Sequence, residues 1–152
     1  MKKTITYKEL LQLQAQANAY LIEKGFLILE TKDGQKAYNW SDKPLTKLVH
    51  GIKNVLKQID KLIPDYNEEL ETLRIDNCLA DEKTGALLKE ADLKTYKFSA
   101  SGAKKFNTAF KELQKKEVEV HVRIQDEKVD LYQYDMFNGI LVAQEKEEFD
   151  AE

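Results

Sequence analysis

The chain has 152 residues, 34% of them charged and 42% hydrophobic, a formal net charge of −3 and a single cysteine. That length predicts one domain with a core of ordinary size, and one cysteine excludes an intrachain disulfide. The slight acidic excess weighs against binding nucleic acid through bulk charge. No run approaches the roughly 18 apolar residues of a membrane span. Met1-Lys2-Lys3 is not followed by the apolar stretch of a signal peptide. The expectation is therefore a protein of a reducing cytoplasm, without membrane contact.

Thr6-Tyr7-Lys8-Glu9 has capping-box form, and Leu10, Leu13, Ala17, Tyr20 and Leu21 follow at helical spacing up to Gly25. Residues 26–31 predict a strand, Asp33-Gly34 a turn, and residues 36–40 a returning strand. Ser41-Asp42-Lys43-Pro44 breaks the pattern and offers caps for the next element.

A heptad stripe then runs through Leu45, Leu48, Val49, Ile52, Val55, Leu56, Ile59, Leu62, Ile63, Tyr66, Leu70 and Leu73. It predicts one long amphipathic helix over about residues 45–79. Pro64 lies inside it and cannot bond the Asp60 carbonyl. The stripe keeps its phase across the proline, which favours a kinked helix over two helices meeting there. The rest of the chain offers two more amphipathic helices, so most of the stripe is expected to be this protein's own core. The part beyond Pro64, at Tyr66, Leu70 and Leu73, is the expected partner surface.

Asp81-Glu82-Lys83-Thr84-Gly85 reads as a turn, and residues 86–89 and 95–98 as a short hairpin. Ser99 or Ser101 caps a third helix with apolar positions Ala103, Phe106, Phe110 and Leu113. Residues 117–124 alternate, with Val118, Val120, Val122 and Ile124 on one face of a half-buried strand. Residues 129–142 form an apolar tail that packs back on the core as a short helix or a strand. Residues 144–152 are acidic and expected to fray, leaving 1–143 as the globular domain.

No residue set points to a catalytic centre, a cofactor or a metal. Cys78, His50 and His121 match no nucleophile signature or zinc spacing. A calcium loop with Gly85 at its glycine position would place Ala80 as first ligand, which cannot coordinate. Ser99-Ala100-Ser101-Gly102-Ala103-Lys104-Lys105 lacks the spacing of a phosphate loop, although a helix start with two lysines suits an anion. Lys104, Lys105 and Lys111 belong to a lysine-rich face of residues 101–123, the expected contact for an anion or nucleic acid if there is one.

Four segments in order carry a resemblance: the stripe at residues 45–73, Asp81-Glu82-Lys83-Thr84-Gly85, Phe106-Asn107-Thr108-Ala109-Phe110-Lys111-Glu112-Leu113, and Glu117-Val118-Glu119-Val120. This order resembles a family of small phage- and prophage-encoded proteins of unknown function, over roughly residues 45–124. The resemblance implies a mobile-element origin and an accessory role in virion assembly or in handling a host protein. It brings no catalytic residues.

The expected fold is α+β, a long kinked helix and two further helices on a small antiparallel sheet. The expected function is non-enzymatic and works through protein–protein contact or self-association. The alternative is a nucleic-acid-associated accessory protein.

Overall fold

A computed structural model describes residues 1–28, 37–40 and 43–143. The expected turn at Asp33-Gly34, the caps at Ser41 and Asp42 and the acidic tail lie outside the described residues. The fold is α+β, with three helices and two small antiparallel strand pairs among the described residues. In chain order the elements are β1 (Lys2–Thr6), α1 (Tyr7–Glu23), β2 (Leu27–Ile28), β3 (Ala37–Tyr38), α2 (Lys47–Asn77), α3 (Ala100–Lys115) and β4 (Glu117–His121). A single 3-10 turn, Asp135–Phe137, follows. The chain divides into two compact units, one of residues Met1–Asp60 with Glu117 onward, the other Lys61–Lys116. Helix α2 contributes to both.

In the first unit the capping box closes α1. The Glu9 amide donates to Thr6 Oγ1 at 3.1 Å, and the Thr6 amide donates to Glu9 Oε1 at 2.9 Å. Gly25 ends the helix at φ 84°, and the Phe26 amide reaches the Leu21 carbonyl at 2.8 Å. Strand β1 pairs antiparallel with β4, Ile5 opposite Val118 and Lys3 opposite Val120. The alternation read in residues 117–124 is present: Val120 and Val122 are buried, while Glu119, His121 and Arg123 are exposed. Strands β2 and β3 pair Leu27 with Tyr38.

The core of this unit joins Leu10, Leu13, Ala17 and Leu21 of α1 to Leu48, Val49, Ile52, Val55 and Ile59 of α2. The apolar tail completes it with Phe137, Leu141 and Val142, all fully buried. The tail is held by Gln16, whose amide nitrogen donates to Asp135 Oδ1 at 2.6 Å and whose oxygen accepts the Met136 amide at 2.8 Å.

The second unit begins with the last four turns of α2. Pro64 lies within a helix that continues as one element to Asn77, so two separate helices are not formed there. Helix α3 starts on Ser99, whose hydroxyl accepts the Gly102 amide at 3.0 Å. A Cβ on Gly102 would lie 2.6 Å from the Asn77 carbonyl oxygen, so the start of α3 meets the end of α2 directly. Between these helices, three short segments are joined by backbone bonds. The Leu88 amide donates to Leu79, the Leu79 amide to Lys97 and the Lys97 amide to Leu88, at 2.8, 2.8 and 3.0 Å. The expected pairing of residues 86–89 with 95–98 is present as the bridge Lys89–Tyr96.

Candidate functional site

The stripe of α2 changes character along its length. Leu48, Val49, Ile52, Val55, Leu56 and Ile59 are buried, whereas Leu62, Ile63, Leu70 and Leu73 are only half-buried. Within the second unit, Leu70 forms part of a groove of about 740 Å³. One wall is Leu70, Glu71 and Arg74 of α2, and the opposite wall is Phe106 and Phe110 of α3. The hairpin supplies the third side, including Leu93, Tyr96 and Phe98.

Aromatic rings form the apolar surface. The centroid of Phe106 is 5.4 Å from that of Phe98 and 5.9 Å from that of Phe110, and the latter pair stacks. The spacing of Phe106 and Phe110 predicts core positions, and both are half-buried, with the groove on one side. Tyr96 is fixed by its hydroxyl, which donates to Glu71 Oε2 at 2.7 Å. That bond raises the Tyr96 phenol above its ordinary pKa, since ionising it would put a second negative charge beside the carboxylate. Glu71 also pairs with Arg74 at 3.5 Å, and Lys89 lies 5.6 Å from the Tyr96 ring centroid. The lining has three cationic side chains, Arg74, Lys89 and Lys94, against one carboxylate, which is already engaged by Tyr96 and Arg74.

Leu93 stands out at the tip of the hairpin. Its side chain is 76% exposed and its φ is +61°, the only positive φ of a non-glycine residue among those described. A leucine there carries a conformational cost of about 1 kcal/mol and leaves its apolar surface in water. The turn beneath it is firm. Asp92 Oδ1 accepts the amides of Lys94 at 2.8 Å and Thr95 at 2.9 Å, and Oδ2 accepts the Thr95 hydroxyl at 2.7 Å. These donors, the Thr95 hydroxyl foremost, pull the Asp92 carboxyl down to about 2.

The same device occurs one turn earlier. Asp81 Oδ1 accepts the amides of Lys83 at 2.8 Å and Thr84 at 2.9 Å, and those bonds, Thr84 first, lower its pKa. The two turns share the pattern Asp-x-Lys-Thr, at residues 81–84 and 92–95. That short repeat accompanies the shared bonding, but four residues are too few to mark residues 90–94 as a built turn from the sequence alone. The variable position holds Glu82 in the first and Leu93 in the second.

Of the expected partner surface, Leu70 lines the groove, Leu73 is half-buried outside its lining, and Tyr66 is buried, at 5% exposure. Lys104, Lys105 and Lys111 are exposed on α3, form no ion pair among the described residues and do not line the groove. The start of α3 faces the Asn77 carbonyl, which leaves a poor seat for an anion. Cys78 is half-buried, 3.2 Å from the carbonyl oxygens of Leu79 and Leu88. Among the described residues no three His, Cys, Asp or Glu side chains gather as metal ligands, and no helix is long and apolar enough to cross a membrane. Compared with protein-family models, with curated proteins and with solved structures, the chain matches none.

Proposed function

We propose that the protein is a non-enzymatic interaction protein whose second unit docks a partner protein in the groove between α2, α3 and the hairpin. The observation that carries this reading is Leu93, a leucine held proud of the surface in a left-handed conformation beside an aromatic groove. Such a residue costs folding free energy and repays it when a partner covers it. The occupant this groove fits is a protein segment with one or two large apolar anchors flanked by acidic residues. The anchors meet Phe98, Phe106 and Phe110, and the acids meet Arg74, Lys89 and Lys94. The order of segments read in the sequence over residues 45–124 would, if it reflects a phage or prophage accessory protein, imply a role in virion assembly or in modulating a host protein, in the cytoplasm of a bacterial host or in its virions.

Selection of random peptides displayed against the immobilised protein tests this. The expected result is an enriched consensus of apolar anchors with flanking Asp or Glu. A synthetic peptide of that consensus should bind Leu93→Asn and Phe110→Ala variants about ten-fold more weakly or worse. Leu93→Asn separates binding from folding, because asparagine tolerates the left-handed backbone and stability should hold or rise by up to about 1 kcal/mol. An enriched set without acidic residues, or one that binds both variants undiminished, overturns the proposal.

The second reading, a nucleic-acid-associated protein, is favoured by one observation: Lys104, Lys105 and Lys111 are exposed and have no ion-pair partner among the described residues. DNA and RNA titrations at low salt, repeated with all three reversed to glutamate, distinguish it. Binding lost on reversal supports that reading, and identical weak binding before and after removes it.

A further inference from the structure

The first unit holds a second concavity, a cleft of about 850 Å³ between the start of α2 and the chain leaving β4. The two histidines of the chain, His50 and His121, both line it although 71 positions separate them in sequence. Lys47 and Arg123 join them, and among the described residues no carboxylate belongs to the lining. We propose that this cleft binds a small phosphorylated anion.

Three features support a site rather than a chance of surface charge. First, its wall is fixed. The Gln58 side chain pairs with the His121 backbone like a strand, its amide nitrogen donating to the carbonyl at 2.8 Å and its oxygen accepting the amide at 2.7 Å. Further on, the Gln125 amide donates to the Leu141 carbonyl at 2.8 Å. His121 and Arg123 therefore project from a backbone held at both ends, which lowers the cost of ordering them around a ligand. Second, the floor is apolar, formed by Val55 and Val122, which are 1% and 3% exposed. Third, the helix carries a glycine there. A Cβ on Gly51 would meet Leu141 Cδ2 at 3.5 Å, an ordinary contact. Packing does not demand glycine, and a glycine inside a helix is less stable than alanine. Gly51 itself lines the cleft, where bare backbone lets a ligand approach the helix closely.

The chemistry selects the ligand class. A guanidinium, an ammonium and two imidazoles offer more donors than the two oxygens of one carboxylate can accept, and arginine matches phosphate in two-pronged fashion. The volume lies in the range of sites for small molecules. A phosphate-bearing molecule of nucleotide size or smaller satisfies both limits.

Isothermal titration at low salt tests this with tripolyphosphate, AMP, ATP and a ten-residue thymidine oligonucleotide as separate probes, on the intact protein. Saturable binding of tripolyphosphate is expected, weakened about ten-fold or more in the Lys47→Ala/Arg123→Ala variant. Both side chains are exposed, so the fold should stand. ATP binding more tightly than tripolyphosphate would assign a nucleotide, and equal binding would assign the phosphates alone. Lys104→Glu/Lys105→Glu should bind unchanged, and so should Leu93→Asn, which separates this site from the groove. No saturable binding, binding undiminished in the Lys47/Arg123 variant, or binding of the oligonucleotide alone overturns the proposal.

Discussion

Two glycines in helices have opposite reasons for being there, and the difference is measurable. Gly102 lets α3 start against the end of α2, where a Cβ would lie 2.6 Å from a backbone oxygen that cannot swing aside. Gly102→Ala should therefore cost about 2 kcal/mol in urea denaturation. Gly51 has ordinary space above it, so Gly51→Ala should raise stability by about 0.5–1 kcal/mol. If both substitutions lower stability equally, the argument from space at Gly51 is wrong. Asp92 gives a residue-scale prediction in pH. Its carboxyl is held down to about 2 by the Thr95 hydroxyl and the amides of Thr95 and Lys94. A lowered folded pKa means that the turn's contribution is complete above the ordinary carboxylate range and is lost as pH falls from about 4 towards 2. The Lys94 and Thr95 amide resonances should report that transition. Asp92→Asn should keep the acceptor and abolish it, and a midpoint near 4 in the parent protein would contradict the bonding described.

At the scale of elements, what could be read in the sequence was what has a local cause. Thr6 and Glu9 announce the start of α1, Ser99 announces α3, and the alternation of Val118, Val120 and Val122 announces β4. Strand β1 was not legible, because Lys2, Lys3 and Thr4 are exposed and only Ile5 is buried. Its pairing depends on β4, more than a hundred residues away, and no local pattern encodes that partner. The groove was legible only at Leu70, since helical spacing assigned Phe106 and Phe110 to the core. Leu93, Tyr96 and Phe98 reach it through a hairpin whose geometry rests on side-chain bonds to Asp92, and the repeated Asp-x-Lys-Thr is too short to stand out from chance. Pro64 is the strongest element-level conflict, since it deprives the Asp60 carbonyl of its helical donor in a helix that nonetheless continues to Asn77. Burial of the stripe must outweigh it. Pro64 is exposed, so Pro64→Ala restores the donor without repacking, and should raise stability by about 1–2 kcal/mol, the rest being offset by the greater freedom of the unfolded chain. Unchanged stability would mean that this helical bond is not limiting.

Across the whole molecule, apolar burial is divided unevenly. All of the largest fully buried side chains, from Leu10 and Leu13 to Leu141 and Val142, belong to the first unit. The second unit has Tyr66 and Leu113 as its buried hydrophobic side chains among the described residues, at 5% and 7% exposure, and a half-buried aromatic ladder. Its ion pairs, Lys116 with Glu69 at 2.9 Å and Arg74 with Glu71 at 3.5 Å, are exposed and add at most about 1 kcal/mol each. A segment with so few buried contacts opens at a lower free energy than the rest of the chain. The two units should therefore lose structure at different denaturant concentrations. Trp40, the single tryptophan, lies in the first unit, stacked 5.0 Å from Tyr38 with Lys53 4.9 Å above it. Its fluorescence should change at higher urea than the first loss of helical circular dichroism, and hydrogen exchange should be faster in α3 and residues 86–98 than in α1 and residues 48–59. A partner peptide seated in the groove should slow exchange in α3 and the hairpin and bring the two transitions together, because it supplies the apolar cover that this unit lacks. Coincident transitions without any ligand would show that the second unit is as stable as the first, and would remove the thermodynamic reason for its groove to need a partner.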